Sequence, residues 1–447
     1  MGASASLEAA VARADERRLA LREELAARRA RLPLRFWRQQ AHFTTPAERD
    51  MAIKALTGGT RPMARILERF GVSPAELAER LGADVTHVEA LLDEPRPSPM
   101  VMVDAEDALA HTDAAVQQGR VDAIDVLAHE EAQRAGPRSL RFFRPPGLNL
   151  ETTARELYAV LWGLVERRGP DRLPLDGIVF PKVEHPEEVE LVHGMLDDAE
   201  RELGIEPGTV RTAYLIESGW AASGVAAIAT RAADRLCALI FGLADYSADL
   251  GLPAIANDHP LADWARAEIV NVAAGVGVPA IDGMTLAYPV ADPALDAATN
   301  RERFLERMAL VHEDAVRARE LGMLGKWVGH PAQLFAVLLA YDSAFTPAAL
   351  EAEAAKLASY AEVVRAGKGA TMIGGVMSDR ATDRHARVVL RQATALGRFD
   401  AQRALELGAI EPGELAEVEA GAGNGADPAT RGGGCVGSSE GSEMRVG

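Results

Sequence analysis

Between residues 100 and 328 short apolar runs alternate with helical stretches, and no other feature constrains the fold as much. The runs are Met100–Val103, Leu140–Phe143, Gly177–Pro181, Thr212–Ile216, Ala238–Gly242, Val278–Ile281 and Lys326–Val328. Helical patterns fill 152–167, 186–203, 221–233, 259–275 and 300–321. Apolar strands separated by helices predict a parallel sheet covered on both faces. Seven or eight such units in succession suit an α/β fold of the closed (β/α)8 TIM-barrel type better than an open sheet. No GxGxxG or P-loop pattern follows any of these runs, which argues against a nucleotide-binding open sheet. Apolar residues make up 48% of the chain, enough to fill a core of that size.

The flanks read differently. Residues 6–40, rich in Ala, Leu, Arg and Glu, predict an amphipathic helix, and 46–94 predict three or four short helices. Within them Phe70 to Leu92 has the outline of a helix-turn-helix, with Ser73-Pro74 capping one helix and Gly82-Ala83-Asp84 turning into the next. The second helix carries acids and no arginine, so a plain helical hairpin is the expected reading. This divides the chain into a helical N-terminal extension (1–98), a barrel (99–345), a C-terminal helical lid (346–420) and a disordered Gly/Ser-rich tail (421–447).

A net charge of −18 argues against a nucleic-acid partner, which needs a basic face. The two cysteines, Cys237 in an apolar run and Cys435 in the tail, do not suggest a disulfide framework, and a cytoplasmic location is expected. No run of about 18 apolar residues occurs, so no membrane span is expected.

In an α/β barrel, chemistry sits at the carboxyl ends of the strands. Glu217 ends one run, and Asp245 follows the next by three residues. Neighbouring strands lie about 4.8 Å apart, so the two carboxylates can reach one ion. Oxygen ligands without His or Cys favour Mg²⁺ or Mn²⁺. Helix capping is the competing explanation for both. Asp104, Glu106 and Asp107 crowd like charge at another strand end, which calls for a compensating cation. Arg144, ending the run before Pro145, could clamp a carboxylate or stabilise an enolate oxygen, or simply pair with those acids. His330, before Pro331, is as a lone histidine better explained as structural.

In order along the chain these residues resemble the superfamily of citrate lyase β-subunit-like proteins, malyl-CoA lyases, HpcH/HpaI aldolases and malate synthases. The likeness runs from Val101 to roughly Leu396. Val103-Asp104-Ala105-Glu106-Asp107-Ala108 resembles its D-x-E-D-A element, and Pro181-Lys182-Val183-Glu184 its P-K-V-E. Ile216-Glu217-Ser218 resembles I-E-T, and Phe241-Gly242-Leu243-Ala244-Asp245 resembles F-G-x-x-D. Gly325-Lys326-Trp327-Val328-Gly329-His330-Pro331-Ala332-Gln333 resembles G-K-x-x-I-H-P-x-Q. Phe143 to Leu150 and Asp282-Gly283-Met284 lean toward malate synthases, whereas Phe241 to Gly251 leans toward the lyases.

The resemblance implies a Mg²⁺-dependent lyase or aldolase that makes or cleaves a β-hydroxy acid or its coenzyme A thioester through an enolate. Its partners would be an α-oxo acid such as glyoxylate and an acyl donor. Glu217 and Asp245 would hold the metal, and Arg144 would face the oxo acid or the enolate. Glu106 and Asp107 would hold metal-bound waters or orient Arg144. Lys182 and His330 would join Glu106 and Asp107 as substrate contacts. Gly369 to Asp379 is similar to the lyases' G-A-x-x-x-D-G-x-M-I-D, which carries the base onto Asp379, with Gly374 in place of an acid and Asp383 as the alternative. In these families that base often comes from a neighbouring subunit of a trimer or hexamer, although malate synthases can be monomeric. A malate synthase-like acyltransferase, a CoA-independent pyruvate-type aldolase and an inactive barrel with a binding role remain as alternatives. No first strand is evident before residue 98.

Overall fold

A computed structural model describes residues 2–30, 32–107, 112–130, 139–367, 369–373 and 376–423. Eight parallel strands close into a barrel in chain order. They are β1 (Ala41–Pro46), β2 (Met100–Asp104), β3 (Leu140–Arg144), β4 (Gly177–Phe180), β5 (Arg211–Ile216), β6 (Leu236–Phe241), β7 (Ala280–Asp282) and β8 (Gly325–Val328). The (β/α)8 barrel is therefore present, and the seven apolar runs correspond to β2 through β8.

The first strand corrects the expected boundary. Residues 1–98 are not wholly a helical extension, because β1 pairs with β2 on one side and with β8 on the other. The sequence Ala-His-Phe-Thr-Thr-Pro contains no apolar run, and its burial comes from closing the ring. Four short helices, Arg49–Gly58, Met63–Phe70, Pro74–Leu81 and Val85–Asp93, then separate β1 from β2. The last two form the expected hairpin. Ser73 Oγ accepts the Glu76 N–H, Gly82 closes the first helix at φ 61°, and Asp84 caps the second. The hairpin region packs on the barrel helix Ala297–Glu320, where Phe70 stacks on Phe304 with ring centroids 4.3 Å apart. The N-terminal helix Gly2–Ala27 is exposed along residues 8–26.

Register decides which side chains point inward. His42 lies opposite Met100 and Trp327, Asp104 opposite Arg144, and Ile216 opposite Phe241. Partners across a parallel ladder share a face, and alternate residues change face. His42, Thr44, Asp104, Arg144 and Trp327 therefore occupy the inner face, and Asp282 and Lys326 the outer one. On that outer face Lys326 Nζ lies 2.6 Å from Asp282 Oδ2, and Arg266 Nε donates to Asp282 Oδ1 at 2.7 Å. Burial alone would raise the Asp282 carboxyl, but Lys326 and Arg266 outweigh it and hold it below the usual carboxylate range.

The C-terminal segment has a core of its own, built from Leu350, Leu357, Ala386, Leu390 and Ile410 together with Leu34. It consists of helices Pro347–Arg365, Arg380–Ala395, Ala401–Glu406 and Pro412–Gly423, plus an antiparallel hairpin of Thr371–Ile373 and Val376–Ser378. It is anchored on the 3-10 turn Leu34–Arg38 just before β1. The Leu34 N–H donates to Glu417 Oε2 at 2.7 Å, Arg38 Nε donates to the Ala395 carbonyl at 2.7 Å, and Arg391 sits over the Trp37 ring. These contacts place its anchor at the amino-terminal end of the barrel, opposite the strand ends where chemistry is expected. Among the described residues, Pro331–Arg365 is the one stretch long and apolar enough to cross a membrane by composition. It is two helices, and the first, Pro331–Asp342, is buried in the barrel wall. Gly374, Cys435 and most of the expected disordered tail lie outside the described residues.

Candidate active site

A cleft of about 400 Å³ opens at the carboxyl ends of the strands. Its lining includes the charged Asp104, Asp107, Arg144, Glu217 and Asp245 together with Thr44, Met51, Met284, Tyr288 and Trp327. The side chains come from β1, β2, β3, β5, β7 and β8 or the segments that follow them, with Met51 on the helix Arg49–Gly58 and Asp245 on the helix Leu243–Asp249 after β6.

Arg144 is 4% exposed and committed to its neighbours. Nε and Nη2 donate to the two oxygens of Asp104 at 2.7 and 2.5 Å, a bidentate pair. Nη1 faces Glu106 at 3.1 Å and Asp107 at 3.2 Å. Burial would lower the guanidinium, but Asp104, Glu106 and Asp107 overcome that and hold it above its ordinary value. Nη1 is thus the one nitrogen that Asp104 does not occupy. The ring of Trp327 lies 5.4 Å from the guanidinium carbon. Sequence reasoning gave Asp104 no part of its own, although its place directly opposite Arg144 in the ladder is the signal that finds it.

Glu217 and Asp245 converge on Lys182. Glu217 Oε1 accepts the Lys182 N–H at 2.7 Å, and Lys182 Nζ donates to Asp245 Oδ1 at 2.7 Å. Lys182 has φ 58°, a left-handed conformation that costs a β-carbon-bearing residue about 1–2 kcal/mol. Glu106 Oε1 lies 3.9 Å from the ammonium, and the buried Glu106 Oε2 is the oxygen paired with Arg144 Nη1 at 3.1 Å, without hydrogen-bond alignment. Burial pushes Glu217 up to about 7 against the pull of Lys182. Burial, with Asp107 and Glu217 adding repulsion, pushes Glu106 up to about 8 despite Arg144 and Lys182.

The site fits a divalent cation. Among the described residues, five carboxylates (Asp104, Glu106, Asp107, Glu217 and Asp245) meet two cationic side chains, Arg144 and Lys182. Among the described residues no group of three or more His, Cys, Asp or Glu side chains is arranged around a metal position. Mg²⁺ does not require one, since it keeps several waters and takes one or two carboxylates. Gly242 leaves the room that Glu217 fills, for a β-carbon there would sit 2.5 Å from Glu217 Cβ and 2.8 Å from its Oε2.

Two expected site residues lie elsewhere. His330 caps the helix Pro331–Asp342, its Nδ1 accepting the Ala332 N–H at 3.2 Å, and it does not line the cleft. Asp379 caps the helix Arg380–Ala395, its carboxylate accepting the Ala381 and Thr382 amides at 2.9 and 3.1 Å, and it too is absent from the cleft wall of its own chain. Met51, Tyr288 and Trp327 went unrecognised in the sequence, where nothing separates a cleft-wall aromatic or methionine from a core one.

Residues 48–421 match the family described as Domain of unknown function (DUF6986). An L-malyl-CoA/beta-methylmalyl-CoA lyase of Cereibacter sphaeroides is 30% identical over 312 residues, covering 66% of this chain and 87% of that protein. The enzyme of the same name from Haloarcula marismortui is 30% identical over 209 residues, 46% of this chain, and the match spans 58% of that relative's length. A solved citrate lyase from Burkholderia xenovorans shares the fold, with a TM-score of 0.56 at 22% identity over 82% of this chain and 95% of that one. The barrel, the strand-end carboxylates and these relatives agree: the chain belongs to the DUF6986 family and, through its lyase relatives, to the HpcH/citrate lyase superfamily of carbon–carbon lyases.

Proposed function

We propose that the protein makes or cleaves the bond between the α-carbon of an acyl thioester, such as an acyl-CoA, and the carbonyl carbon of a small α-oxo acid. The observation that carries this reading is that one residue, Lys182, holds both Glu217 (by its amide) and Asp245 (by its ammonium) at the carboxyl ends of neighbouring strands beside an acid-rich cleft. Glu217 and Asp245 would hold a divalent ion, which would supply Lewis-acid polarisation of the oxo-acid carbonyl.

The remaining work falls to the chain's own groups. Arg144, fixed by Asp104, presents Nη1 to the cleft and lowers the energy of negative charge developing on the thioester oxygen. Glu106 and Asp107 flank that nitrogen and hold its direction. A base removes a proton from the α-carbon, the resulting carbanion equivalent attacks the carbonyl carbon, and the carbonyl oxygen takes a proton to become the hydroxyl. The cleavage direction retraces these steps. Asp379 is the candidate base, delivered to the cleft by a second copy of the chain. Supporting this, its segment is anchored at the opposite end of its own barrel, and Met372 and Met377 on the adjoining hairpin stand 65% and 58% exposed, a surface suited to cover by another subunit.

The test is complementation. Asp379→Asn and Glu217→Gln are each expected to be inactive on a β-hydroxyacyl-CoA in the presence of Mg²⁺. A mixture allowed to exchange subunits should regain a measurable fraction of wild-type turnover, because some sites combine an intact cleft with an intact Asp379. No recovery despite proven exchange refutes delivery in trans, and turnover indifferent to a chelator refutes the metal assignment.

A further inference from the structure

Lys182 is the only non-glycine residue with a positive φ among the described residues, and both of its nitrogens serve the metal pair. The amide grips Glu217 and the ammonium grips Asp245, each at 2.7 Å. The stem passes so close to Gly147 that a β-carbon there would come within 3.2 Å of Lys182 Cγ. The side chain is 30% exposed, so the ammonium can leave Asp245 without opening the core. Glu106 Oε1, 3.9 Å away, marks the direction it would take, toward the Nη1 side of Arg144.

We propose that Lys182 is a displaceable counter-cation: it holds Glu217 and Asp245 in place when no metal is bound, yields Asp245 to the incoming divalent ion, and then offers its ammonium to the carboxylate of the oxo acid. This rests on Glu217 and Asp245 being the metal ligands. An ammonium and a divalent ion repel each other across one carboxylate, so the ammonium on Asp245 Oδ1 opposes the metal there. The released ammonium gains an anionic partner only after the metal is in place. Metal and oxo acid therefore bind in order, with Lys182 as the positioning residue that couples them.

The experiment is calorimetric titration of the whole chain with Mn²⁺, and then with oxaloacetate, alongside thermal unfolding with and without metal. Lys182→Met removes the competitor and should bind Mn²⁺ about tenfold more tightly, the strength of one charge-assisted hydrogen bond. Its metal-free form should melt lower than wild type, and its Mn²⁺-saturated form should not. It should also lose about tenfold in oxaloacetate affinity with Mn²⁺ present, whereas Lys182→Arg should keep wild-type order and weaker metal binding. Lys182→Gly also lacks the ammonium and relieves the left-handed strain, so it reads the same effect if the methionine variant folds poorly. Unchanged or weaker Mn²⁺ binding in the methionine and glycine variants overturns the proposal, provided Glu217→Gln abolishes binding. If the wild type itself binds no Mn²⁺, or Glu217→Gln makes no difference, the metal assignment falls and this inference falls with it.

Discussion

Replacing Gly242 with alanine probes the site without changing a charge. Gly242 has φ −98°, on the side of the map that alanine shares, so the backbone does not oppose the substitution. The side chain does. Its β-carbon would lie 2.5 Å from Glu217 Cβ and 2.8 Å from Oε2, whereas carbon atoms settle at about 3.5–4.0 Å. Something must move by about 1 Å, and Glu217 is poorly placed to do so. It is buried, and Oε1 is held by the Lys182 N–H. Overpacking of this kind costs about 1–3 kcal/mol. Borne by the position of the carboxylate, that is about a 5- to 150-fold loss in metal affinity. Mn²⁺ titration reads it directly, and the melting temperature should drop by about 2–6 °C. Gly194→Ala is the control: it lies exposed in the helix Pro186–Leu203, a β-carbon there meets nothing within 4 Å, and alanine should be neutral or slightly stabilising. Wild-type metal affinity and stability in Gly242→Ala would refute the argument that this glycine exists to seat Glu217.

Two further outcomes follow from buried charges outside the cleft. Lys326→Met leaves the buried Asp282 carboxylate with Arg266 and removes one charge-assisted hydrogen bond, which should cost about 1.5–3 kcal/mol, and an unchanged denaturation midpoint would show the triad to be dispensable. His42 is fully buried, and burial holds its imidazole down at about 3. Below its ordinary value near 6.5 the unfolded chain takes up a proton that the folded chain refuses, so this contribution is complete above that pH and is lost as pH falls toward 3. The slope is about 1.4 kcal/mol per pH unit. His42→Gln removes it, and wild-type and variant stabilities that run parallel between about pH 6 and pH 4 would contradict the assignment.

The parallel barrel and the order of its strand-end acids were legible in the sequence, because β2 through β8 are short apolar runs whose meaning is local. Glu217 and Asp245 were legible for the same reason: a carboxylate just past an apolar run, on one strand and then the next, carries its position with it. β1 was not legible. Its Thr44, Thr45 and Pro46 look like a loop, and only pairing with β2 makes them strand, with Thr45 buried and Thr44 and Pro46 half-buried. The company kept by Arg144 was half-legible, since the strand end announces the cation but the register selects Asp104 as its bidentate partner. The reach of Lys182 to Asp245 and the seat of the C-terminal segment on the turn before β1 were decided by the tertiary structure alone. Each depends on where the closing of the ring brings residues that are far apart in the chain, and a single strand's pattern holds no record of that.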